Sequence, residues 1–359
     1  MPRFTAPSAP SKLIGAIALA LSCTLTTAAT VRVANQGDVL SLDPHSFNEA
    51  VQLSFLNNVF EALATRGKDL KLTPSLATAW KATGPNTWRF ELRRKVSDFV
   101  VELETSAPNP ILPELMTNVL IMNRKWAESN QATRPVDRRK GIENAASFRA
   151  NGTGPFKVRE RQPSQKTVLQ RSPTWWNKFE TNLDEVIFLP IENSATRVAA
   201  LLSGEVDVID PVPLQDIPRV NSSPKLQVVE NPELRVIFLG FDHKRDVLPL
   251  SNVTDKNPFK DKRVRQAFYQ AIDIQTIKTQ IMRNASKPTG AMIATGIQGY
   301  SADMEPRLAF DLAASKKLHA DDIGHIPLHQ QTLAWGMKKT IDAYQRADGF
   351  MLFKWMNVR

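Results

Sequence analysis

DEVIFLPIENSATRVAALLSGEVDVID, residues 184–210, predicts a strand, a helix and a second strand in close succession. The run DEVIFLPI is typical of a buried strand. Ser194 is expected to cap the helix ATRVAALLS, and Gly204 is expected to end it. A proline-rich helical turn, PVPLQDIPRV, then leads to further strand through KLQVVE and LRVIFLGF, up to residue 241. This alternation predicts an α/β fold with parallel strands and right-handed crossovers, and ligands of such sheets bind beyond the carboxyl ends of the strands.

The composition is that of an ordinary globular protein. The chain has 359 residues, 42% of them hydrophobic, and a formal net charge of +10. This length predicts two or three domains. The basic residues are scattered, and their densest cluster, Arg134 to Lys140, is interrupted by Asp137. Nucleic-acid binding needs a basic patch or a recognised module, so we expect no nucleic-acid partner.

The N-terminal residues 1–29 have the features of a secretory signal peptide. Two basic residues precede the short apolar run LIGAIALAL, and small residues precede an expected cut before Thr30. The absence of an Arg-Arg pair favours Sec export, which places the mature chain in the periplasm. Cys23 is the only cysteine, so a cut at this point leaves a mature chain without thiols. Lipid attachment at Cys23 stays open as an alternative.

Three further segments carry strong periodic patterns. A helix is expected from Asn48 to about Thr65. Two strands with alternating apolar residues, Trp88–Leu92 and Phe99–Leu103, follow one another without a tight-turn sequence between them. KRVRQAFYQAIDIQTIKTQIM, residues 262–282, predicts an amphipathic helix with a second cap at Asp273. The apolar face of that helix is expected to comprise Val264, Ala267, Phe268, Ala271 and Ile272.

No catalytic motif is present, so we expect a protein that is not an enzyme and needs no cofactor. The chain lacks GxSxG, HExxH, a Walker A loop and GxGxxG in a strand–turn–helix context. The segment HADDIGHIPLHQ contains residues that resemble a metal site, namely His319, Asp321, Asp322, His325 and His329. Pro327 disfavours a helix there, and in a strand the last two histidines would lie about 13 Å apart. We therefore expect no metal, and histidines that are exposed or hydrogen-bonded.

The ordered set of motifs resembles the peptide-type solute-binding proteins of ABC importers, the class that binds dipeptides, oligopeptides, nickel and related solutes. The matching segments are VANQGDVLSLDPHSFNEA, LTPSLATAW, TWRFELRRKV, NGTGPFKV, LLSGEVDVI and RVRQAFYQAIDI. They occur in the family's order over nearly the whole chain after the signal peptide.

The resemblance implies a two-lobed, periplasmic-binding-protein-like α/β fold whose lobes close over a solute. Lobe I would comprise residues 30–59, an inserted subdomain at 60–150, a βαβ core at 151–257 and a C-terminal return at 319–359, and residues 258–318 would be the remnant of lobe II. Compared with the family, sequence is missing after Val96 and after Leu318. The second apparent deletion removes most of lobe II, including the region where the family usually keeps an acidic partner for a peptide's amine.

The same resemblance implies a binding site. The residues expected at the cleft are Ser46, Phe47, Asn48, Glu49, Phe241 and Asp242. Asn48 could instead be a helix cap and Asp242 a turn residue. The implied function is that of a monomeric periplasmic component that binds short peptides, or a related amine-bearing solute, and delivers them to an inner-membrane ABC permease. The alternative is a degenerate, internally deleted relative without transport activity.

Overall fold

The computed structural model describes residues 29–93, 100–137, 140–297, 299–315 and 325–359. The expected signal peptide up to residue 28, with Cys23, and both apparent deletions lie outside these ranges. Among the described residues, no helix is both long and apolar enough to cross a membrane.

The described ranges contain fifteen strands. They are β1 (Ala29–Asn35), β2 (Ala64–Arg66), β3 (Leu72–Pro74), β4 (Ala77–Ala82), β5 (Thr87–Leu92), β6 (Val100–Glu104), β7 (Phe156–Gln162), β8 (Lys166–Arg171), β9 (Leu183–Pro190), β10 (Val208–Asp210), β11 (Leu226–Gly240), β12 (Ser286–Pro288), β13 (His325–Lys338), β14 (Ile341–Ala343) and β15 (Met356–Val358).

The α-helices of the same ranges are short. They are α1 (Ala50–Leu56), α2 (Leu112–Leu115), α3 (Arg124–Ser129), α4 (Ser194–Ser203), α5 (Ile217–Asn221), α6 (Lys262–Gln270), α7 (Ile274–Thr276) and α8 (Leu312–Ser315). Single helical turns follow or precede several of them, including a π-helical turn at Ile277–Ile281 directly after α7.

The main sheet has the strand order β11-β13-β10-β1-β9-β8-β7, and β12 pairs with β13. β1 runs parallel to both β9 and β10, while the other pairings in this sheet are antiparallel. The predicted strand directions are therefore right, because β9, β10 and β11 all run the same way. They do not pair with one another, however, since β1 separates β9 from β10 and β13 separates β10 from β11.

The core forms where apolar strand residues meet the buried face of α1. Val31 and Val33 of β1 are fully buried, and the ring of Phe55 in α1 contacts Phe188 of β9 with centroids 5.2 Å apart. A second apolar cluster lies around α4, which ends at Gly204 as predicted, with φ of +83°. Its cap is one residue earlier than expected, because the side chain of Asn193 accepts from Thr196 N.

The inserted region contains a small sheet of its own. β4, β5 and β6 pair antiparallel, with Trp88 opposite Leu103 and Phe90 opposite Val101. The two strands predicted for this region are thus confirmed as neighbours. Residues 94–99, which join them, lie outside the described ranges.

The helix predicted from Asn48 to Thr65 is wrong in length. α1 ends at Leu56, and Ala64–Arg66 is a strand. The side-chain amides of Asn57 and Asn58 donate to backbone carbonyls of the last helical turn. Such local bonds compete with the helical ladder, and the carbonyl oxygens of Asn58 and Val59 instead accept from the 154–156 turn.

The buried face of α6 also differs from the prediction. Arg265 and Tyr269 are the buried residues of this helix, and the Arg307 guanidinium lies 4.9 Å from the Tyr269 ring centroid. Phe268, predicted to be core, is 47% exposed. Recapping at Asp273 is confirmed, since its carboxylate accepts from Gln275 N and Thr276 N.

Candidate binding site

The carboxyl ends of the parallel strands β1 and β10 lie side by side. Asn35 is the last residue of β1, and its side-chain amide donates to Asp210 Oδ2 at 2.9 Å. Gln36 N donates to the Asp210 carbonyl at 3.2 Å, and Gly37 N donates to Asn35 Oδ1 at 2.9 Å. These bonds fix the edge of the sheet at which ligands of α/β proteins bind.

A small cavity of about 120 Å³ opens at this edge. Seven parts of the chain contribute to its wall: the ends of β1 and β10, α1, Phe188 of β9, the middle of β11 and of β13, and the C-terminal segment. The residues used below are Asn35, Val51, Phe55, Phe188, Asp210, Glu233, Arg235, Asp348, Gly349, Met351 and Phe353.

Glu233 reaches the cavity because β11 departs from regular pairing. The pairing of β11 with β13 shifts register between Pro232 and Val236. Within this irregularity Leu234 N donates to the Ala347 carbonyl at 2.9 Å, and Gln330 Nε2 donates to the Glu233 carbonyl at 2.7 Å. The side chain of Glu233 is thereby held, 6% exposed, against the C-terminal segment.

Two carboxyl groups of the cavity have perturbed acidity. Burial raises the pKa of Asp210 to about 7, against the attraction of Arg197, and the nearby Glu233 raises it further. Burial also raises the pKa of Glu233, although the ion pair with Arg235 lowers it in part. Desolvation dominates in both cases because a charge in a low-dielectric site loses its hydration. Perturbed acids in a concave site at a sheet edge are typical of functional positions.

The predicted loop residues line a different, open pocket. Ser46, Phe47, Asn48 and Glu49 contribute to a surface depression of about 700 Å³ together with Leu40 and residues 135–137. The helix cap is Glu49 rather than Asn48, because its carboxylate accepts from Val51 N and Gln52 N.

Phe241 and Asp242 line neither of these two pockets. The carboxylate of Asp242 accepts from Lys244 N and Arg245 N at 3.2 Å each and pairs with the Arg245 guanidinium at 3.0 Å. The hydrogen bond from Arg245 N has the largest effect and, with the bond from Lys244 N, holds the pKa of the Asp242 carboxyl below its ordinary value. Phe241 packs against Phe259 and Phe268, with ring centroids 4.8 and 5.8 Å away. Asp242 therefore has the local contacts of the turn residue that was the alternative.

The histidine segment differs from the expectation in one respect. His329 is buried, 6% exposed, and no partner for its Nδ1 is present among the described residues. Burial lowers its pKa. His319, Asp321 and Asp322 lie outside the described ranges, as does the side chain of His325. Within the ranges that are described, no group of three potential metal ligands is present.

Sequence reasoning missed Asp210, Glu233 and Arg235. One signal was available: Glu233 and Arg235 are charged residues in the middle of a long strand, next to Pro232. A charge at such a position marks either an irregular strand or a functional site. No local sequence pattern indicated that Glu233 and Arg235 lie near Asp348, because that proximity depends on how the C-terminal segment docks.

Comparisons with known proteins agree with the architecture. The family model described as "Bacterial extracellular solute-binding proteins, family 5 Middle" matches residues 94–323. The periplasmic murein peptide-binding protein MppA of Escherichia coli is 21% identical over 337 aligned positions, which take up 78% of this chain and 59% of that protein. The chain thus spans less than two thirds of that relative. The 337 aligned positions outnumber the residues of this chain that they include, which are 78% of 359. At the surplus positions the relative has residues and this chain has none.

Two solved structures show the same fold. The periplasmic binding protein DppA of Helicobacter pylori, in complex with the peptide STSA, superposes with a TM-score of 0.66 at 17% identity, over 81% of this chain and 65% of that one. MoaA of A. tumefaciens R10, in complex with mannopinic acid, superposes with a TM-score of 0.72 at 14% identity, over 93% of this chain and 100% of that one. The predicted α/β periplasmic-binding-protein-like fold is confirmed.

Proposed function

The chain belongs to the bacterial extracellular solute-binding proteins of family 5, and we propose that it is the periplasmic solute-binding component of an ABC importer. We propose further that its solute is a short peptide or a related amine-bearing molecule. The family consists of binding proteins and not of enzymes. The signal peptide at residues 1–29, the monomeric state and delivery to an inner-membrane permease are parts of the same proposal.

The observation that carries the proposal is the cavity at the carboxyl ends of β1 and β10. It combines the buried carboxylate of Glu233 and the half-buried Asp210 with an apolar wall, which is the composition of a small-molecule site. Two of the three proteins named above bind murein peptide and the peptide STSA, which supports a peptide solute here.

The long strands β11 and β13 are our candidates for the hinge. They pair along most of their length, from Leu226 opposite Lys338 to Gly240 opposite His325. Their far ends meet β12 and the segment that carries α6, which we assign to the lobe II remnant at 258–318. Bending of these strands would move that remnant relative to lobe I. The boundaries stated above for lobe I and for its inserted subdomain are part of the same proposal.

A specific observation also favours the alternative, a degenerate relative without transport activity. Of the twenty exposed large apolar residues in the described ranges, eleven lie between Phe238 and Leu312. None of the three apolar core clusters found in those ranges takes a member from residues 240–315. This is the surface expected if most of lobe II has been lost, and such surface promotes aggregation.

Native mass spectrometry of purified residues 30–359 tests the proposed function. The protein is incubated with a pool of di- to pentapeptides, and with a pool of neutral sugars as the control. We expect adducts with peptide masses and none with sugar masses. A protein that stays free of peptide at near-millimolar peptide concentration, or that elutes only as aggregates, would support the degenerate alternative.

A further inference from the structure

One carboxylate oxygen in the cavity at the strand ends has no hydrogen-bond partner in the described part of the chain. Glu233 is 5% exposed, and its Oε1 accepts from the Arg235 guanidinium at 2.8 Å. Its Oε2 is buried and has no partner among the residues that the structure describes. A buried acceptor without a donor destabilises a fold, so such an atom in a native protein needs an explanation, for example an ordered water, an ion or a ligand. The position of this oxygen in a cavity wall therefore points to a ligand with a hydrogen-bond donor.

The cations near the cavity do not balance all of its carboxylates. Asp348 is balanced within its own loop, since the Arg346 guanidinium donates to both of its oxygens at 2.8 and 2.6 Å. Arg197 is buried and donates to the carbonyl of Pro211, as well as to carbonyls before α4, so its attraction for Asp210 acts through space. Asp210 and Glu233 are thus left with the partly exposed Arg235 as the cation at the cavity itself.

Arg235 is a displaceable partner. Its side chain is 53% exposed while that of Glu233 is 6% exposed. An exposed arginine gives up an ion pair at little cost because water takes over its hydrogen bonds. A ligand cation inside the cavity would meet a carboxylate that is already desolvated.

The size of the cavity restricts what enters. A volume of about 120 Å³ compares with the roughly 150 Å³ engineered cavity that holds benzene, so one end of a solute fits and a whole peptide does not. Gly349 lines this space next to the carboxylate, and its φ of +78° is a backbone conformation that favours glycine. Phe55, Phe188 and Val51 supply an apolar wall for the carbon atoms attached to the entering group.

We propose that this cavity is a cation subsite in which the carboxylates of Glu233 and Asp210 hold a protonated primary amine of the solute. This inference rests on the proposed function, since the amine belongs to the solute that the protein binds. The amine has two possible sources, the N-terminus of a peptide or a lysine side chain. Both present an ammonium group with N–H donors, and the experiment separates them.

Isothermal titration of the full chain with three peptides tests the subsite. The probes are trialanine, N-acetyl-trialanine and N-acetyl-Ala-Lys-Ala, titrated into the wild type, Glu233→Gln and Glu230→Gln. Glu230 is the matched control because it lies on the same strand and is exposed. A hydrogen bond to a charged group contributes about tenfold to a hundredfold in affinity. We expect the wild type and Glu230→Gln to bind trialanine more tightly than its acetylated form by such a factor, and Glu233→Gln to bind both alike.

The other outcomes are equally decisive. Recovery of tight binding by the acetylated lysine peptide, in the wild type but not in Glu233→Gln, assigns the subsite to a side-chain amine. A preference for free amines that persists in Glu233→Gln overturns the proposal.

If the wild type binds none of the three peptides, the proposed peptide function fails and the subsite is tested alone. Thermal unfolding is then followed in millimolar methylammonium chloride, with equal sodium chloride and tetramethylammonium chloride as controls. A rise of the wild-type midpoint that is specific to methylammonium and absent in Glu233→Gln supports the cation subsite. No rise in the wild type refutes it.

Discussion

Replacing Asn58 by alanine should detach the C-terminal segment from the helix that it packs against. Asn58 is fully buried, and its amide donates to the carbonyls of Ser54, Phe55 and Met351 at 3.0, 3.3 and 3.1 Å. Its side-chain oxygen accepts from Phe353 N at 2.8 Å. Met351 and Phe353 both line the cavity, so this asparagine couples the fold to the candidate site.

The magnitude follows from the groups left behind. The alanine variant leaves the Phe353 N–H and the Met351 carbonyl buried without their partner, and each such loss costs about 1–3 kcal/mol. We expect Asn58→Ala to lower the free energy of unfolding by about 2–4 kcal/mol. Asn57→Ala is the matched control, because it loses a single half-buried bond to the Leu53 carbonyl, which contributes about 1 kcal/mol or less.

Urea denaturation of both variants, followed by tryptophan fluorescence, gives the two values. Limited proteolysis in water then shows whether the loss is local, since cleavage should appear first in residues 346–359 of the Asn58 variant. Equal stability of the two variants, to within about 0.5 kcal/mol, would refute the idea that Asn58 anchors the C-terminal segment.

Two further predictions concern the framework around the site. Gly154→Ala should destabilise by more than about 2 kcal/mol, because a β-carbon there would lie 2.7 Å from the backbone of Val59, whereas Gly84→Ala, whose nearest neighbour is 3.6 Å away, should be nearly neutral in the same urea assay. Asp207→Asn should remove a pH dependence of the stability. Although burial raises the pKa of Asp207, hydrogen bonds from Arg32 and Lys338 lower it below the ordinary value. The stabilisation by this carboxylate is therefore present at neutral pH and is lost as pH falls through the folded-state pKa. The difference between the unfolding midpoints of wild type and variant should therefore be smaller at about pH 3 than at neutral pH. A difference that is the same at both pH values would contradict the prediction.

Local sequence signals predicted much of the sheet. The alternation in residues 88–103 and the apolar runs after residue 183 identified strands that the structure contains, because burial of alternate or continuous apolar residues is a local property.

The strand order and the site could not be predicted in this way. Insertion of β1 between β9 and β10, and of β13 between β10 and β11, depends on pairing between segments more than about eighty residues apart. The cavity also depends on contacts between distant segments, because Asp210, Glu233 and Asp348 meet only after β13 and the C-terminal segment have docked. The resemblance to the family directed attention to residues 46–49 and 241–242, and their role as ligand contacts stays a prediction.

Phe268 shows where a sound local pattern gave a wrong result. Its position on the apolar face of α6 predicts burial, yet it is 47% exposed. The Phe241 and Phe259 rings cover part of it. The remainder is the surface that we propose the lost part of lobe II once covered.

The most direct test of the account is the thermal unfolding of purified residues 30–359, with and without a pool of di- to pentapeptides. A working cleft predicts one cooperative transition whose midpoint rises with peptide. At a hundred times the dissociation constant, binding stabilises the native state by about 2.7 kcal/mol, which corresponds to a rise of roughly 4 °C for a chain of this size. A broad transition that peptides do not shift would contradict the proposed receptor and leave a degenerate member of the family.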